Sequence, residues 1–295
     1  MSVENEIIKA LKTKRPEFAK IDEHELELVQ ERAYRLHTTP PYFIKWISDD
    51  DSLGKNEIRV NQTILQKASI PTPRLIFTIK VTGASIAVWE WLDGVDLRHQ
   101  QRDWLPRAFA QLGYFHAQQR HNNPVCSLVT HRSYNTITEL LKAELEFLCA
   151  YHDASVRDKT AVVFSRLELG YPTTIHGDLH PGNIRLTKKG LRFVDWGYCT
   201  SSLGLFDLGY IQTSHFDSTE GIDWWCITPE EANSVLPAYY EACGLSGYNY
   251  LPIHQAVMLW SQLWAYYNSI KNDNKTGTEI CRGYIDLLIA NVKHT

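Results

Sequence analysis

The sequence lacks three features that would each point to a particular class of protein. No run of apolar residues approaches the length needed to span a bilayer. No two of the six cysteines are close enough to form a Cys-x-x-Cys redox motif or a zinc-binding pair. Residues 1–20 are polar and contain no apolar signal-peptide core. We therefore expect a reduced, soluble, cytoplasmic protein that does not associate with a membrane.

The chain also lacks an excess of basic residues. Its 30 Lys and Arg face 34 Asp and Glu, which gives a net charge of −4. Proteins that bind the nucleic-acid backbone concentrate Lys and Arg, so we expect no nucleic-acid partner. The composition, 44% hydrophobic and 22% charged over 295 residues, is that of a globular protein with room for two lobes that each bury a core.

Hydrophobic periodicity divides the chain near residue 91. Before this point, the pattern predicts a small antiparallel sheet with an inserted helix: a helix at 3–12, strands at 25–29, 33–37, 42–46, 74–80 and 85–91, and the inserted helix at 55–68. Beyond it, the pattern predicts helices at 104–120, 136–151, 155–169, 229–243, 252–271 and 278–292, with strands only at 184–186 and 192–194. The prediction is an α+β fold with a β-rich lobe, residues 1–91, and a mainly helical lobe, residues 92–295.

The most informative segment reads His176-Gly177-Asp178-Leu179-His180-Pro181-Gly182-Asn183, and Phe193-Val194-Asp195-Trp196-Gly197 follows it. Asp178 lies in a loop that contains glycine and proline, so we expect its side chain to project into a cleft. Asn183 is expected to begin the first strand of a hairpin and Asp195 to end the second, which would make them neighbours. An amide oxygen beside a carboxylate suits Mg²⁺. Together with a carboxylate that accepts a hydroxyl proton, this set predicts phosphoryl transfer.

These two segments resemble the catalytic loop and the metal-binding aspartate segment of the aminoglycoside phosphotransferase and choline kinase superfamily, which is related to the protein kinases. The resemblance implies a protein-kinase-like fold with a nucleotide-binding N-terminal lobe and a catalytic, substrate-binding C-terminal lobe. It implies Asp178 as catalytic base, Asn183 and Asp195 as Mg²⁺ ligands, and ATP as phosphate donor. The expected acceptor is a hydroxyl group of a small molecule, such as an aminoglycoside-like antibiotic, an amino alcohol or a sugar.

The resemblance also assigns residues in the N-terminal lobe. Lys45, the one lysine of an apolar strand, matches the lysine that contacts the ATP phosphates. Glu57 is the best match for the helix residue that pairs with this lysine, although a shift of one position in the alignment would place Ile58 there. The segment that corresponds to the hinge, whose backbone binds adenine, is Glu90, Trp91 and Leu92.

Several residues near the catalytic loop have structural roles by the same resemblance. Asp207 matches an aspartate that braces the loop, and His116 matches a position that we interpret as structural. His176 and His180 could instead join Asp178 as ligands of zinc or iron in a metallohydrolase. The Pro-Gly-Asn continuation and the downstream aspartate favour the kinase pattern, so we expect both histidines to brace the loop.

Two positions depart from the family pattern. The nucleotide loop, expected at residues 29–34, contains no glycine and carries the acidic Glu31. This departure leaves open a kinase-fold binding protein that has lost turnover. Gly177 stands where protein kinases carry an arginine that pairs with an activation-loop phosphate, which favours a small-molecule kinase whose site is always assembled.

Acidic and indole side chains cluster beyond the metal-binding segment. Carboxylates together with indole faces suit a cationic substrate, whereas the alternative is a solvated acidic loop anchored by two core tryptophans. The candidate substrate residues are Asp217, Glu220, Asp223, Trp224 and Trp225.

Overall fold

A computed structural model describes residues 2–98, 100–209, 227, 229–245 and 250–290. The chain divides into two units. The first unit comprises Met1–Val95 and Arg185–Tyr198, and the second comprises Asp96–Ile184 and Cys199–Thr295. The segment that carries Asp195 therefore belongs to the same unit as the N-terminal residues. The domain limits 1–91 and 92–295 stay a prediction.

The first unit is built on a five-stranded antiparallel sheet with the order β1-β2-β3-β5-β4. The strands are β1 Leu26–Gln30, β2 Ala33–Leu36, β3 Tyr42–Ser48, β4 Leu75–Val81 and β5 Ala84–Glu90. Two helices accompany them, α1 Val3–Lys14 and α2 Ser52–Thr63. These elements confirm the strands and helices predicted for this part of the sequence.

One face of the sheet packs against α1. Successive residues of a strand point to opposite faces, and Ile44, Ile86 and Val88 share an apolar core with Ile7 and Leu11 of α1. Burying these aliphatic side chains contributes roughly 1.5–3 kcal/mol each. This core fixes the orientation of β3. The β3 side chains that alternate with its core residues therefore point to the opposite face of the sheet.

The opposite face of the sheet packs toward α2. Ile47, Ala87 and Trp89 form a second apolar cluster, against which Phe43 of β3 and Ile58 of α2 also pack. Lys45 is two positions from both Phe43 and Ile47 along β3. Because side chains alternate between the faces of a sheet, its side chain points to the same face, which α2 covers.

The inserted helix α2 begins three residues before the predicted start at residue 55. The Asp51 side chain accepts a hydrogen bond from the backbone N–H of Gly54 at 2.8 Å, and this N-cap satisfies a donor that the first turn leaves unpaired. The α-helix also ends earlier than predicted, at Thr63, and a 3₁₀ turn at Leu65–Lys67 follows it.

The second segment of the first unit, Arg185–Tyr198, carries most of the predicted hairpin. Its strands are β10 Ile184–Thr187 and β11 Gly190–Phe193, and the short β6 Gly94–Asp96 lies beside β10. Gly190 adopts a φ of +97°, a conformation that favours glycine. The Thr187 hydroxyl donates to the Gly190 carbonyl at 2.8 Å and accepts from the Lys189 N–H at 3.1 Å, which closes the turn.

The second unit is mainly helical, as predicted. Its helices are α3 Leu105–Gln118, α4 Ile137–Leu148, α5 Ala154–Phe164, α6 Phe206–Gly209, α7 Pro229–Ala242, α8 Tyr250–Lys271 and α9 Lys275–Ile289. Among the described residues, no helix combines the length and the hydrophobicity that crossing a bilayer requires.

Short strands in this unit correct the sequence prediction. The antiparallel pairs are β7 Val125–Cys126 with β8 Ser133–Tyr134, and β9 Pro172–Ile175 with β12 Thr200–Leu203. The sequence predicted strands only at 184–186 and 192–194 beyond residue 91. That prediction was wrong because strands of two to four residues are too short to show a recognisable alternation of apolar and polar residues.

A buried aromatic and polar cluster holds α4, α6 and α8 together. The Trp260 ring stacks on Phe206 with centroids 4.1 Å apart, and its indole N–H donates to the Glu144 carboxyl at 2.6 Å. The Ser127 hydroxyl donates to the same carboxyl at 2.6 Å. Burial raises the pKa of Glu144 above its ordinary value, partly offset by these two hydrogen bonds. Phe206 immediately precedes Asp207, so this packing fixes the backbone of a predicted site residue.

Candidate active site

Lys45 and Glu57 form an ion pair in the first unit. The Lys45 Nζ atom lies 2.7 Å from Glu57 Oε2, and both side chains are largely shielded from solvent. The pairing follows from the sheet face that Lys45 occupies and from the capped start of α2. Ile58 packs instead in the apolar cluster, so the geometry pairs Glu57, rather than its neighbour, with the lysine.

The charges around this pair keep Lys45 protonated. Burial alone would lower the pKa of Lys45, but the negative charges of Glu57 and then Asp195 outweigh it and raise the pKa above its ordinary value. Burial raises the pKa of Glu57, and the Lys45 charge only partly opposes this rise. The result is an amine on the sheet face whose protonated, cationic form is favoured.

Asp195 completes a group of charged side chains in the first unit. Its Oδ1 atom lies 3.7 Å from Lys45 Nζ, and its side chain is 56% exposed. Asp195 was expected to end the second hairpin strand, but β11 ends at Phe193 and Asp195 follows in a left-handed conformation with a φ of +64°. Asp tolerates this conformation better than most residues, and it turns the carboxylate toward Lys45.

The glycine-free nucleotide loop is a tight two-residue turn between β1 and β2. Gln30 pairs with Ala33 across Glu31 and Arg32, and Arg32 adopts a φ of +58°. The Arg32 carbonyl accepts from the Trp46 N–H at 2.9 Å, and its guanidinium donates to the Ser48 hydroxyl at 3.3 Å. This turn is therefore bonded to β3 rather than extended as a long loop.

The predicted hinge lies at the end of β5: Glu90 is the last residue of the strand, and Trp91 and Leu92 follow it. The Glu90 N–H donates to the Arg74 carbonyl at 2.9 Å, and the Glu90 carboxylate accepts from the Arg74 N–H at 3.1 Å. The backbone N–H of Glu90 is thus engaged within the sheet, and the roles of Glu90, Trp91 and Leu92 toward a base stay a prediction.

Sequence reasoning missed a stack of side chains beside the hinge. The Arg35 guanidinium lies over the Trp91 ring, 4.5 Å from its centroid, and the Phe43 ring lies 6.3 Å from the same tryptophan. Arg35 and Phe43 are cross-strand partners in β2 and β3. Alternation along β2 could have placed Arg35 on the Lys45 face, but its contact with a residue beyond β5 depends on the sheet order.

Asp207 braces the predicted catalytic loop from within the second unit. Its carboxylate accepts the backbone N–H of His176 at 2.8 Å and that of Gly177 at 2.8 Å. Burial alone would raise the pKa of Asp207, but the hydrogen bond and charge of His116 and the His176 amide hold the pKa below its ordinary value. Gly177 adopts a φ of +81°, a backbone conformation that favours glycine.

His116 extends this brace to α7. Its Nε2 lies 3.1 Å from Asp207 Oδ2, and its Nδ1 lies 2.8 Å from the Tyr239 hydroxyl. If His116 is neutral, this arrangement calls for the proton on Nε2, so that Nδ1 accepts from Tyr239. All three side chains are buried, and the network ties α3 and α7 to the loop.

Asp178 occupies the one partly exposed position of the described stretch 173–181, and every other residue of this stretch is buried. The Asn183 amide nitrogen donates to the Asp178 backbone carbonyl at 2.9 Å, which turns the Asn183 amide oxygen away from that carbonyl. Asn183 was expected to begin a strand, but it ends a 3₁₀ turn at Pro181–Asn183 and β10 begins at Ile184.

The two loop histidines do not form a metal site with Asp178. The His180 Nδ1 accepts the Gly182 N–H at 3.1 Å within the loop, and His176 is fully buried. In the part of the chain that the structure describes, no group of three or more His, Cys, Asp or Glu residues could hold a metal ion. This geometry gives no support to the metallohydrolase alternative.

The sequence also predicted five substrate residues beyond the metal-binding segment. They lie outside the described residues and are Asp217, Glu220, Asp223, Trp224 and Trp225.

The sequence and fold of the chain resemble those of known proteins. Residues 29–240 match the model of the phosphotransferase enzyme family, while no curated protein matches the chain in sequence. Solved structures of kinases share the fold, and three of them are compared with this chain. A candidate fructosamine-3-kinase from Haemophilus somnus has a TM-score of 0.58 at 12% identity, over 89% of this chain and 90% of that one. A choline/ethanolamine kinase family protein from Mesorhizobium loti has a TM-score of 0.56 at 13% identity, over 98% and 99%.

The third is an aminoglycoside phosphotransferase from Streptomyces rimosus, solved with ADP and streptomycin. Its TM-score is 0.53 at 13% identity, over 90% of this chain and 99% of that one. At such identities the likeness concerns the fold alone, and the predicted α+β, protein-kinase-like fold class is confirmed.

Proposed function

Because the chain belongs to the phosphotransferase enzyme family, we propose that it transfers the γ-phosphate of ATP to a hydroxyl group of a small molecule. The observation that carries this proposal is the position of Lys45 between Glu57, at 2.7 Å, and Asp195, at 3.7 Å. A cationic amine held beside an exposed carboxylate is the arrangement that a polyphosphate and its metal ion require.

Lys45 and Glu57 form the phosphate-binding part of the proposed mechanism. The negative charge of Glu57 offsets the free-energy cost of burying the Lys45 ammonium group and fixes the direction of that group. Lys45 can therefore bind the phosphate oxygens without reorganising. Such preorganised charge stabilises the transition state more than a mobile surface lysine would. Trp91 and Leu92 would offer backbone groups to the adenine base.

The residues proposed for Mg²⁺ are chemically suited to it. Asp195 offers an exposed carboxylate, and Asn183 offers an amide oxygen whose nitrogen is engaged elsewhere. Hard oxygen donors of this kind bind Mg²⁺, which keeps its remaining positions for water and phosphate oxygens. When bound, the ion would neutralise charge on the phosphates.

Asp178 is the proposed catalytic base. The acceptor hydroxyl gives its proton to this carboxylate as its oxygen bonds to the γ-phosphorus, and the bond between that phosphorus and ADP breaks. The Asp207 brace holds the backbone just before Asp178, at His176 and Gly177. Rate enhancement in this scheme comes from positioning and electrostatics.

The proposed acceptor is a small molecule with a free hydroxyl: an aminoglycoside-like antibiotic, an amino alcohol or a sugar. Proteins of the same fold are described as kinases of fructosamine and of choline or ethanolamine, and one is solved with streptomycin. These names define the compound set for a screen rather than a single substrate.

A second candidate, a nucleotide-binding protein without turnover, is favoured by one observation. The β1–β2 turn is glycine-free, so side chains hinder the close approach of its backbone to a phosphate, and its Arg32 carbonyl and guanidinium are bonded to β3. ATP binding without consumption in the presence of any acceptor would support this candidate.

An ATP-consumption screen over hydroxyl-bearing antibiotics, amino alcohols and sugars tests the proposal. We expect one acceptor class to stimulate ADP release, and we expect Asp195→Ala to abolish both that release and the Mg²⁺-dependent thermal stabilisation by ATP. Asp158→Ala, at an exposed position of α5, is the matched control. Unchanged ATP consumption in Asp195→Ala would refute the assignment.

A further inference from the structure

A side chain of α2 is bonded to the turn that follows Asp195. The Asn56 amide nitrogen donates to the Gly197 carbonyl at 2.8 Å. On the other side of the same amide, Arg59 donates to the Asn56 oxygen from Nη2 at 2.6 Å and from Nε at 3.2 Å. The guanidinium therefore fixes which end of the amide faces Gly197, because only the nitrogen end can donate to a carbonyl.

This bond joins the two segments that present carboxylates to Lys45. Asn56 immediately precedes Glu57 on α2, and Gly197 lies two residues after Asp195. Leu53, one helical turn before Asn56, also lies against this turn, since a Cβ added to Gly197 would be 3.3 Å from the Leu53 Cβ. α2 thus contacts the turn through both a hydrogen bond and close packing.

The backbone around Asp195 needs such an anchor. Asp195 has a φ of +64°, a conformation that is costly for most residues and persists where its surroundings hold it. Before it, the chain is held by β11. After it, the Trp196 indole N–H donates to the Phe193 carbonyl at 3.1 Å, and Asn56 holds Gly197. Removing Asn56 would take away one of the contacts that hold the chain after Asp195.

We propose that Asn56 is a positioning residue that sets the separation between Asp195 and the Lys45–Glu57 pair, and thereby the Mg²⁺ requirement of the nucleotide site. The inference rests on the proposed function for its kinetic consequence. Its structural part, the link between α2 and the turn, stands on the contacts within the first unit.

Asn56→Asp is the most informative variant because it keeps the size of the side chain. The new carboxylate still pairs with Arg59, but it cannot donate to Gly197 and opposes that carbonyl with its own negative charge. Asn56→Ala removes the bond to Gly197 and the bonds from Arg59, and Arg59→Gln keeps Asn56 but weakens its orientation. Asn122→Asp, at an exposed position of the second unit, is the matched control.

We expect Asn56→Asp to raise the Mg²⁺ concentration for half-maximal turnover by about tenfold, and Asn56→Ala by about threefold to tenfold, as the net worth of one hydrogen bond implies. Arg59→Gln should show a smaller rise, and the KM for the acceptor should not change. A role in filling space alone predicts the opposite order, with Asn56→Asp close to wild type and Asn56→Ala impaired. That order would overturn the proposal.

Hydrogen–deuterium exchange of the nucleotide-free protein separates this inference from the proposed function. Amides at 195–198 should exchange faster in Asn56→Asp than in wild type, while amides of α8 stay unchanged. Unchanged exchange at 195–198 overturns the link, and faster exchange with an unchanged Mg²⁺ requirement overturns the positioning role. If wild type consumes no ATP with any acceptor, the proposed function fails, and exchange alone then decides whether Asn56 holds the turn.

Discussion

Replacing Asp207 with asparagine tests the brace of the catalytic loop. The two carboxylate oxygens accept three hydrogen bonds: Oδ1 from the Gly177 N–H, and Oδ2 from the His176 N–H and from His116. An amide has the same shape, but one of its ends is an NH₂ group. Whichever way it is oriented, at least one buried backbone N–H then faces another donor.

The magnitude follows from these bonds. A buried N–H left without an acceptor costs about 1–3 kcal/mol, and losing the charge of the acceptor weakens the remaining bonds, so we expect Asp207→Asn to lower the free energy of unfolding by about 3–5 kcal/mol. The measurement belongs near neutral pH. The folded-state pKa of Asp207 is below its unfolded value, so its contribution is complete above the unfolded pKa and is lost as pH falls through the folded pKa.

Urea unfolding of Asp207→Asn, compared with wild type, provides the assay. Asp158→Asn, at an exposed position of α5, should change stability by less than about 0.5 kcal/mol. Hydrogen exchange at the amides of His176 and Gly177 should accelerate in the Asp207 variant. A loss of less than about 1 kcal/mol, with both amides still protected, would refute the claim that this carboxylate holds the loop.

Two further predictions concern Glu57 and His254. Glu57→Gln removes the charge that offsets the burial of Lys45, so the pKa of Lys45 should fall and the KM for ATP, measured by steady-state kinetics, should rise by about tenfold. The control variant Glu146→Gln, at an exposed position of α4, should leave the KM for ATP unchanged. An unchanged KM in Glu57→Gln would contradict the pairing role. Burial lowers the pKa of His254 from 6.5 to about 4, so the unfolded state binds more protons between these values and stability falls as pH decreases through this window. We expect the free energy of unfolding to decrease by up to about 2 kcal/mol near pH 5, and this decrease to disappear in His254→Leu. Urea unfolding at a series of pH values measures it. An equal pH dependence of stability in the variant would show that His254 is not the source of the decrease.

The first unit was largely predictable because its signals are local. The apolar run around Lys45 predicted β3, and the helix after it followed from its own periodicity. Family resemblance, rather than a local signal, indicated Glu57 as the partner of Lys45, and only the geometry distinguishes it from Ile58. The bond between Asn56 and Gly197 was not predictable, because its partners are 141 residues apart in the sequence and polar side chains on a helix are ordinarily solvated.

The site in the second unit depended more on family resemblance than on pattern. Nothing in the local sequence around Asp207 indicates that its carboxylate reaches back to His176 and Gly177, about thirty residues earlier. The hairpin ends were misplaced by one or two residues at Asn183 and Asp195, because a 3₁₀ turn and a left-handed residue interrupt the strands there. Such boundaries depend on tertiary hydrogen bonds that propensity does not encode.

The central claim is that the chain transfers a phosphoryl group to a hydroxyl with Asp178 as base. Mass spectrometry of the acceptor most directly tests it, with wild type and Asp178→Asn incubated with Mg²⁺, ATP and the acceptor that the screen identifies. We predict that wild type adds one phosphoryl group per ADP released, and that Asp178→Asn binds ATP normally but forms at least about a hundredfold less product, the usual worth of a general base. ADP release without a phosphorylated acceptor, or wild-type product formation by Asp178→Asn, would contradict the account.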